Sequence, residues 1–180
     1  MPHDSLTERA KRVRLLLLDV DGVLTDGRII FMPDGSGGLM ESKAFDVADG
    51  AGIALARRAG LRTGIISGRQ SPVVTARAEE LGIEEVHLGV FDKAAVLERI
   101  VLETGIPAED IAFAGDEVVD LPIMRQVGFP VAVQNAPNDV KAHALYVTAA
   151  RGGRGAVREI IELILRSQGK WDALVSEFLR

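Results

Sequence analysis

Short apolar runs alternate along this chain with longer segments in which apolar residues recur at helical spacing. The runs predict strands at Leu15–Asp19, Arg62–Ile66, Glu85–Leu88, Ile111–Gly115, Pro130–Val133 and Leu145–Thr148. The periodic segments predict helices at Gly52–Ala59, Pro72–Leu81, Ala94–Glu103, Val118–Val127, Asn138–His143 and Ala156–Arg166. Repeated strand–helix alternation with short connections requires crossovers between parallel strands. The sequence therefore predicts an α/β fold with a mainly parallel sheet flanked by helices.

One segment interrupts this alternation directly after the first strand. Arg28–Met32 and Leu39–Phe45 flank a turn-rich stretch at 33–38, which predicts a small β-hairpin flap over about residues 28–45. We expect this flap to project over the carboxyl end of the first strand, and a surface hairpin without a role is the alternative. After the last predicted helix comes a C-terminal tail, about residues 167–180, which contains the only tryptophan, Trp171.

Composition limits the class of protein. The chain has 180 residues, of which 47% are hydrophobic and 26% charged, and this is typical of a single globular domain over residues 1–180. The net charge of −5 disfavours nucleic acid or an anionic membrane as a partner. The sequence has no cysteine, which fits a reducing compartment, and no apolar run of membrane-spanning length. We therefore expect a cytoplasmic protein.

The first predicted strand ends in two carboxylates. Four leucines, at 15–18, lead directly into Asp19-Val20-Asp21-Gly22. The strand carries Asp19 to the carboxyl edge of the sheet, where open α/β sheets bind their ligands. Two acids this close repel each other unless a cation or a proton lies between them. An Asp-x-Asp pair is also common in solvated loops, so this motif alone does not establish a site.

Three further strand ends carry polar residues. Ser67 follows the second strand, Lys93 opens the helix after the third, and Asp116, Glu117 and Asp120 follow the fourth. Parallel strands bring all these ends to one edge of the sheet. A carboxylate nucleophile, a hydroxyl, an ammonium and a metal-binding acid are the groups that phosphoryl transfer through an aspartyl-phosphate requires. The set occurring in this order predicts a phosphotransfer site.

These ordered motifs resemble those of haloacid-dehalogenase-superfamily phosphatases. The segments at 19–27, 43–53, 67–71 and 152–159 closely resemble the 3-deoxy-D-manno-octulosonate 8-phosphate (KDO 8-phosphate) phosphatase family. The resemblance covers nearly the whole chain after about residue 12 and implies a haloacid-dehalogenase-like Rossmannoid fold without a cap domain. It implies a Mg²⁺-dependent phosphatase that releases phosphate from KDO 8-phosphate in lipopolysaccharide precursor synthesis.

The resemblance also implies residue roles. Asp19 would attack phosphorus and become the aspartyl-phosphate, and Asp21 would protonate the leaving sugar oxygen and later activate water. The Mg²⁺ ion would be held by Asp19, Asp116 and the backbone carbonyl of Asp21. The phosphoryl oxygens would be bound by Ser67, the Gly68 amide and Lys93. Asp120 would orient Lys93 or a metal-bound water, and Glu117 stands where a second aspartate is usual.

Substrate recognition is implied in the same way. The residues that would contact substrate are Asp21, Asp46, Val47, Ala48, Asp49, Gly50, Gly68, Arg69, Arg77 and Lys93. Arg69 and Arg77 lie eight apart and share one side of a helix if the helix begins near Arg69, and an arginine fork suits a sugar carboxylate. The stretch between Gly27 and Ser67 has no room for a cap. The resemblance therefore implies a homotetramer in which neighbouring subunits cover one another's sites.

Some residues depart from the family pattern and leave the substrate open. Ala48 and Ala54 stand where basic residues are common, which keeps a nine-carbon acid-sugar 9-phosphate as an alternative substrate. A non-catalytic assembly module of a sugar-activating enzyme is a further alternative. An idle module would not need to keep the full set of Asp19, Asp21, Ser67, Lys93 and Asp116. A last question concerns Arg151, Arg154 and Arg158, which form either an anion patch or a set of solvated arginines.

Overall fold

The computed structural model describes residues 5–179. Its strands are β1 Leu15–Leu18, β2 Ile30–Pro33, β3 Leu39–Ser42, β4 Arg62–Ser67, β5 Glu85–Leu88, β6 Ile111–Gly115, β7 Phe129–Ala132 and β8 Tyr146–Val147. Its helices are α1 Leu6–Arg12, α2 Val47–Arg58, α3 Pro72–Leu81, α4 Lys93–Thr104, α5 Leu121–Met124, α6 Asn138–Lys141, α7 Ala156–Ser167 and α8 Trp171–Glu177.

Six strands form one parallel sheet in the order β5-β4-β1-β6-β7-β8. β1 lies at the centre, and its last residue, Leu18, is level with Ile65 of β4 and Ala114 of β6. The chain leaves β1 toward one edge and later returns to its other side, so right-handed crossovers place helices on both faces. The predicted parallel α/β fold is confirmed, and the point where the strand order reverses lies at β1.

The core explains why β1 is so apolar. All four of its leucines are fully buried, because helices cover both faces of the sheet. Among these helices, α7 packs against α1 and α2, and α4 contacts α5. The central strand is therefore held rigidly, and it places whatever follows Leu18 at a fixed point.

The predicted flap is confirmed as the antiparallel pair β2 and β3. The Asp34 carboxylate closes its turn by accepting hydrogen bonds from the amides of Ser36 and Gly38, at 2.8 and 2.9 Å. In the C-terminal tail, Trp171 begins α8 and is buried, while Arg180 lies outside the described residues. Within residues 5–179, no helix has both the length and the apolar character needed to cross a membrane.

Most predicted boundaries agree with the structure to within two residues, and five elements differ. One is β3, which ends at Ser42, three residues before the predicted Phe45. α1 and α8 were not predicted, although Ser5 caps α1 by accepting from the Glu8 amide, at 3.3 Å. α2 begins at Val47, before the predicted Gly52. The prediction missed its first residues because two glycines weaken the helical pattern there. The predicted helix over 118–127 was wrong as one unit: a 3₁₀ turn at Val118–Asp120 precedes α5.

Candidate active site

A wide turn follows β1 and brings it against the end of β6. The turn spans Val20–Leu24 and is closed by the Thr25 amide, which donates to the Val20 carbonyl, at 3.0 Å. Gly22 sits in this turn with a φ of 100°, a conformation that favours glycine. A Cβ on Gly22 would lie 1.9 Å from the Asp116 Oδ2 atom. The glycine therefore allows the two acidic strand ends to approach each other.

Lys93 joins the nucleophile candidate to a second carboxylate. Its Nζ donates to Asp19 Oδ1 at 2.8 Å and to Asp120 Oδ1 at 2.6 Å, and all three side chains are buried. Burial alone would lower the pKa of Lys93, but the charges of Asp19 and Asp120 outweigh burial and raise it. Lys93 is therefore a buried ammonium at the start of α4, directly beside Asp19.

Asp120 has hydrogen-bond partners on both of its oxygens. While Oδ1 accepts from Lys93, Oδ2 accepts from the backbone amides of Asp116 and Glu117, at 3.0 and 3.2 Å. The Glu117 carboxylate turns away and accepts from the Val118 amide, at 2.7 Å. Asp120 is therefore committed to holding Lys93 and the loop after β6.

Asp116 differs from its neighbour because its Oδ1 atom is buried without a hydrogen-bond partner among residues 5–179. Burial and the charges of Asp19 and Asp120 raise the pKa of Asp116 to about 8. Burial likewise raises the pKa of Asp19, although Lys93 opposes that shift. Carboxylate oxygens of Asp19, Asp116 and Asp120 lie within 4.8 Å of one another. Because both Asp120 oxygens are engaged, Asp19 and Asp116 are the carboxylates of this cluster that remain to hold a hard divalent cation.

Ser67 and Gly68 end β4 beside β1. The register that pairs Leu18 with Ile65 carries Ser67 close to the level of Asp19. Ser67 is buried, and its Oγ accepts from the Arg69 amide at 3.3 Å, which fixes the loop that follows. A buried hydroxyl therefore stands at the edge of the sheet where phosphoryl oxygens need donors.

Asp21, the second acid of the Asp-x-Asp motif, contacts two cationic side chains. Asp21 Oδ1 accepts a hydrogen bond from Lys43, and Asp21 Oδ2 lies 3.6 Å from Arg69 Nε. Glu41 of β3 in turn binds Arg69, at 2.8 Å between Oε2 and Nη2. The sequence reasoning missed Lys43 and Glu41. Their position at the base of the predicted flap, directly beside a motif that needs counter-charges, was the signal that could have found them.

The substrate-side candidates are only partly brought together. Val47 and Ala48 lie exposed at the start of α2, after its cap Asp46, whose carboxylate accepts from the Ala48 amide at 2.6 Å. Gly50 leaves room for Arg77, since a Cβ there would lie 2.5 Å from the Arg77 Nη2 atom.

Asp49 is engaged by another helix. Its buried carboxylate accepts from the amides of Gly155 and Arg158, at 3.2 and 2.8 Å, and so caps the N-terminus of α7. Burial nevertheless raises the pKa of Asp49. The observed hydrogen bonds use both oxygens of this carboxylate to join α2 to α7.

The two arginines do not share a helix, because α3 begins at Pro72 and Arg69 lies in the preceding loop. Arg77 instead pairs with Glu80 at 2.8 Å and stacks over the Phe45 ring, 5.7 Å from its centroid. Arg77 lines a small cavity with Phe45 and Asp46, whereas Arg69 lies beside Asp21 and Glu41.

The three C-terminal arginines do not form one patch. Arg158 stacks on Trp171 at 4.9 Å and donates to Glu162 at 2.6 Å. Arg151 and Arg154 line a separate surface cavity, where Arg154 lies 3.7 Å from Asp26.

Comparison with known proteins gives one consistent result. Residues 78–161 match the family described as haloacid dehalogenase-like hydrolase. The chain is 41% identical to the 3-deoxy-D-manno-octulosonate 8-phosphate phosphatase KdsC of Salmonella typhimurium, over 95% of this chain and 88% of that protein.

Solved structures agree. A probable YrbI family phosphatase from Pseudomonas syringae is 45% identical, with a TM-score of 0.92 and 97% of each chain covered. The KDO 8-phosphate phosphatase of Moraxella catarrhalis, solved in complex with a magnesium ion, a phosphate ion and KDO, is 40% identical. That comparison gives a TM-score of 0.91 and covers 96% of this chain and 97% of the other.

Proposed function

The chain belongs to the KDO 8-phosphate phosphatase family of haloacid dehalogenase-like hydrolases, and we propose that it hydrolyses KDO 8-phosphate to KDO and phosphate with Mg²⁺. The observation that carries this proposal is the buried cluster in which Lys93 bridges Asp19 and Asp120 beside the unpartnered Asp116 oxygen. A nucleophile, a counter-ion and free metal ligands at one sheet edge are the parts that phosphomonoester hydrolysis requires.

The proposed reaction proceeds in two displacements on phosphorus. In the first, an Asp19 oxygen bonds to phosphorus as the bond to the sugar oxygen breaks, and Asp21 gives its proton to that oxygen. In the second, Asp21 takes a proton from water as the water oxygen attacks phosphorus, which returns Asp19 and releases phosphate. A positioned acid or base typically contributes about 10²–10⁴-fold to such a rate.

The cation fits the residues present, because the orphaned Asp116 oxygen needs a positive partner. Asp19, Asp116 and the Asp21 carbonyl would hold Mg²⁺, which would neutralise negative charge between the carboxylates and the phosphoryl group. Ser67, the Gly68 amide and Lys93 would donate to the other phosphoryl oxygens. Asp120 keeps Lys93 aimed at Asp19 through its 2.6 Å hydrogen bond.

Substrate choice is the finer part of the proposal. Arg69 and Arg77 are suited to an acidic sugar, because a guanidinium binds two carboxylate oxygens at once. Ala48 and Ala54 supply no cation to α2, which favours a nine-carbon acid-sugar 9-phosphate as the second candidate. The chemistry would be the same for both substrates, and only the contacts to the sugar would differ.

We also propose that residues 1–180 form a single capless domain that assembles as a homotetramer. The flap supports assembly because it exposes six large apolar side chains. These are Ile29, Ile30, Phe31, Met32, Leu39 and Met40. Light scattering would give the assembly state, and charged substitutions at Phe31 and Leu39 would be expected to dissociate it. A role in lipopolysaccharide precursor synthesis stays a prediction. The cytoplasmic location also stays a prediction, and cell fractionation would test it.

The decisive experiment is phosphate release from KDO 8-phosphate, a nonulosonate 9-phosphate and simple hexose phosphates, each with and without Mg²⁺. We expect KDO 8-phosphate to give the highest kcat/KM and Asp19→Asn to give no turnover. A higher kcat/KM for the nine-carbon substrate would change the assigned substrate and leave the proposed mechanism unchanged. A folded, Mg²⁺-binding protein that released phosphate from none of them would favour a non-catalytic assembly module instead.

A further inference from the structure

A buried lysine lies beneath the flap, outside the residues that the proposed chemistry uses. The Lys43 side chain has an exposed fraction of 0%, although it directly follows β3, whose other end is exposed to solvent. An ammonium removed from water is costly unless it is paired with hydrogen-bonding anions. Lys43 has two such partners, because its Nζ contacts Asp21 Oδ1 and lies 3.0 Å from Glu41 Oε1.

The contact with Asp21 distinguishes the two oxygens of the proposed general acid. An ammonium has hydrogens to donate and no lone pair to accept with, so Asp21 Oδ1 must act as an acceptor toward Lys43. A proton that Asp21 delivers to a leaving group must then be carried by Oδ2. The Arg69 Nε atom lies 3.6 Å from Oδ2, too far for a hydrogen bond, and so leaves that oxygen available.

Glu41 keeps Lys43 in place. Its Oε1 atom accepts from Ser71 Oγ at 3.1 Å as well as from Lys43, and its Oε2 atom accepts from Arg69 at 2.8 Å. Burial works against ionisation of Glu41, but hydrogen bonds from Arg69, Lys43 and Ser71 outweigh it and lower the pKa of this carboxyl. Lys43 is therefore clamped between a fixed anion of the flap and Asp21.

We propose that Lys43 is a positioning residue that holds the Asp21 carboxylate with Oδ2 directed at the leaving oxygen. In the first displacement the bond between phosphorus and the sugar oxygen breaks, and the proton on Oδ2 passes to that oxygen to give the free alcohol. The inference rests on the proposed function, because it concerns the acid in that reaction. It adds a coupling between the flap and catalysis, since the clamp on Lys43 is part of β3.

The test compares two leaving groups in the full-length protein. A sugar alkoxide needs a proton as it leaves, whereas p-nitrophenolate is a good leaving group and needs little help. The value of kcat/KM reports the first displacement and not the later hydrolysis of the intermediate. We expect Lys43→Met to lower kcat/KM for KDO 8-phosphate by about 10²-fold. The value of kcat/KM for p-nitrophenyl phosphate should stay close to that of the wild type. Asp21→Asn should show the same selectivity.

Three further variants separate positioning from folding and from charge. Lys43→Arg restores a donor to Asp21 and should recover most of the sugar-phosphate rate, which a loss of packing alone would not explain. If Lys43→Met folds poorly, the double variant Glu41→Gln with Lys43→Met replaces it, because it removes the clamp without leaving two carboxylates facing each other. We expect the double variant to lose activity with KDO 8-phosphate and to keep activity with p-nitrophenyl phosphate. Lys11→Met, on the exposed side of α1, is the matched control and should behave as wild type.

The outcomes separate this inference from the function on which it rests. A wild-type protein that hydrolyses neither substrate refutes the proposed phosphatase. A wild-type protein that is active on both, with Lys43→Met lowering both by the same factor, overturns the positioning role alone. Selective loss with the sugar phosphate, together with recovery in Lys43→Arg, supports it.

Discussion

Binding of Mg²⁺ to this protein should release a proton from Asp116 near neutral pH. Burial, together with the charges of Asp19 and Asp120, raises the pKa of Asp116 to about 8 when no cation is bound. At pH 7 roughly nine-tenths of the molecules then carry a proton on Asp116, by the ordinary titration relation. A carboxylate must be ionised to bind a hard cation, so the ion and the proton compete for the same group.

The competition between Mg²⁺ and the proton sets how steeply the apparent Mg²⁺ affinity depends on pH. Below about pH 8 the apparent Mg²⁺ affinity should rise about tenfold per pH unit, because one proton is displaced, and it should level off above that pH. The metal-free fold shows the opposite trend. Since the pKa of Asp116 is raised on folding, its contribution to the free energy of unfolding is complete below the unfolded value of 3.8 and is lost as pH rises through about 8. Saturating Mg²⁺ should therefore stabilise the protein more at pH 8 than at pH 6.

Titration calorimetry at pH 6, 7 and 8 measures both effects, since buffers with different ionisation enthalpies report the number of protons released. We expect close to one proton per Mg²⁺ at pH 7. Glu79→Gln is the control, because Glu79 is an exposed carboxylate on α3, and this variant should release the same number. An affinity that is constant from pH 6 to 8, with no proton released, would refute the assignment of Asp116 as a protonated ligand.

Three substitutions test other parts of the site. Asp19→Asn should abolish phosphate release while circular dichroism stays unchanged, and turnover near wild type would exclude Asp19 as the nucleophile. Asp49→Ala leaves two amides of α7 without their acceptor and should lower the free energy of unfolding by about 1–3 kcal/mol in urea, whereas no loss would contradict the cap. Gly22→Ala would put a methyl group onto Asp116, so Mg²⁺ affinity measured by calorimetry should fall more than tenfold, about 1.4 kcal/mol. Unchanged affinity would show that the turn adapts.

The sequence by itself determined the sheet and the edge of the sheet that carries the candidate site. A four-leucine run buried on both faces, followed by Asp19 and Asp21, is a local pattern that needs no knowledge of distant contacts. Parallel topology then brings the ends of β1, β4 and β6 together, so Ser67 and Asp116 were predictable from the alternation alone. The elements that were missed have weak local signals, such as the glycines within α2.

Only the tertiary structure decided how the carboxylates divide their tasks. Asp116 and Asp120 are both aspartates of the loop after β6, and the sequence does not distinguish them. In the structure, Lys93 of α4 donates to one oxygen of Asp120 and a backbone amide donates to the other, whereas one oxygen of Asp116 has no partner among residues 5–179. Asp49 caps α7, whose N-terminus lies more than a hundred residues further along the chain. Lys43 reaches Asp21 only because the flap folds back over β1. Hydrogen bonds between distant segments assign these roles, and local periodicity carries no information about such partners.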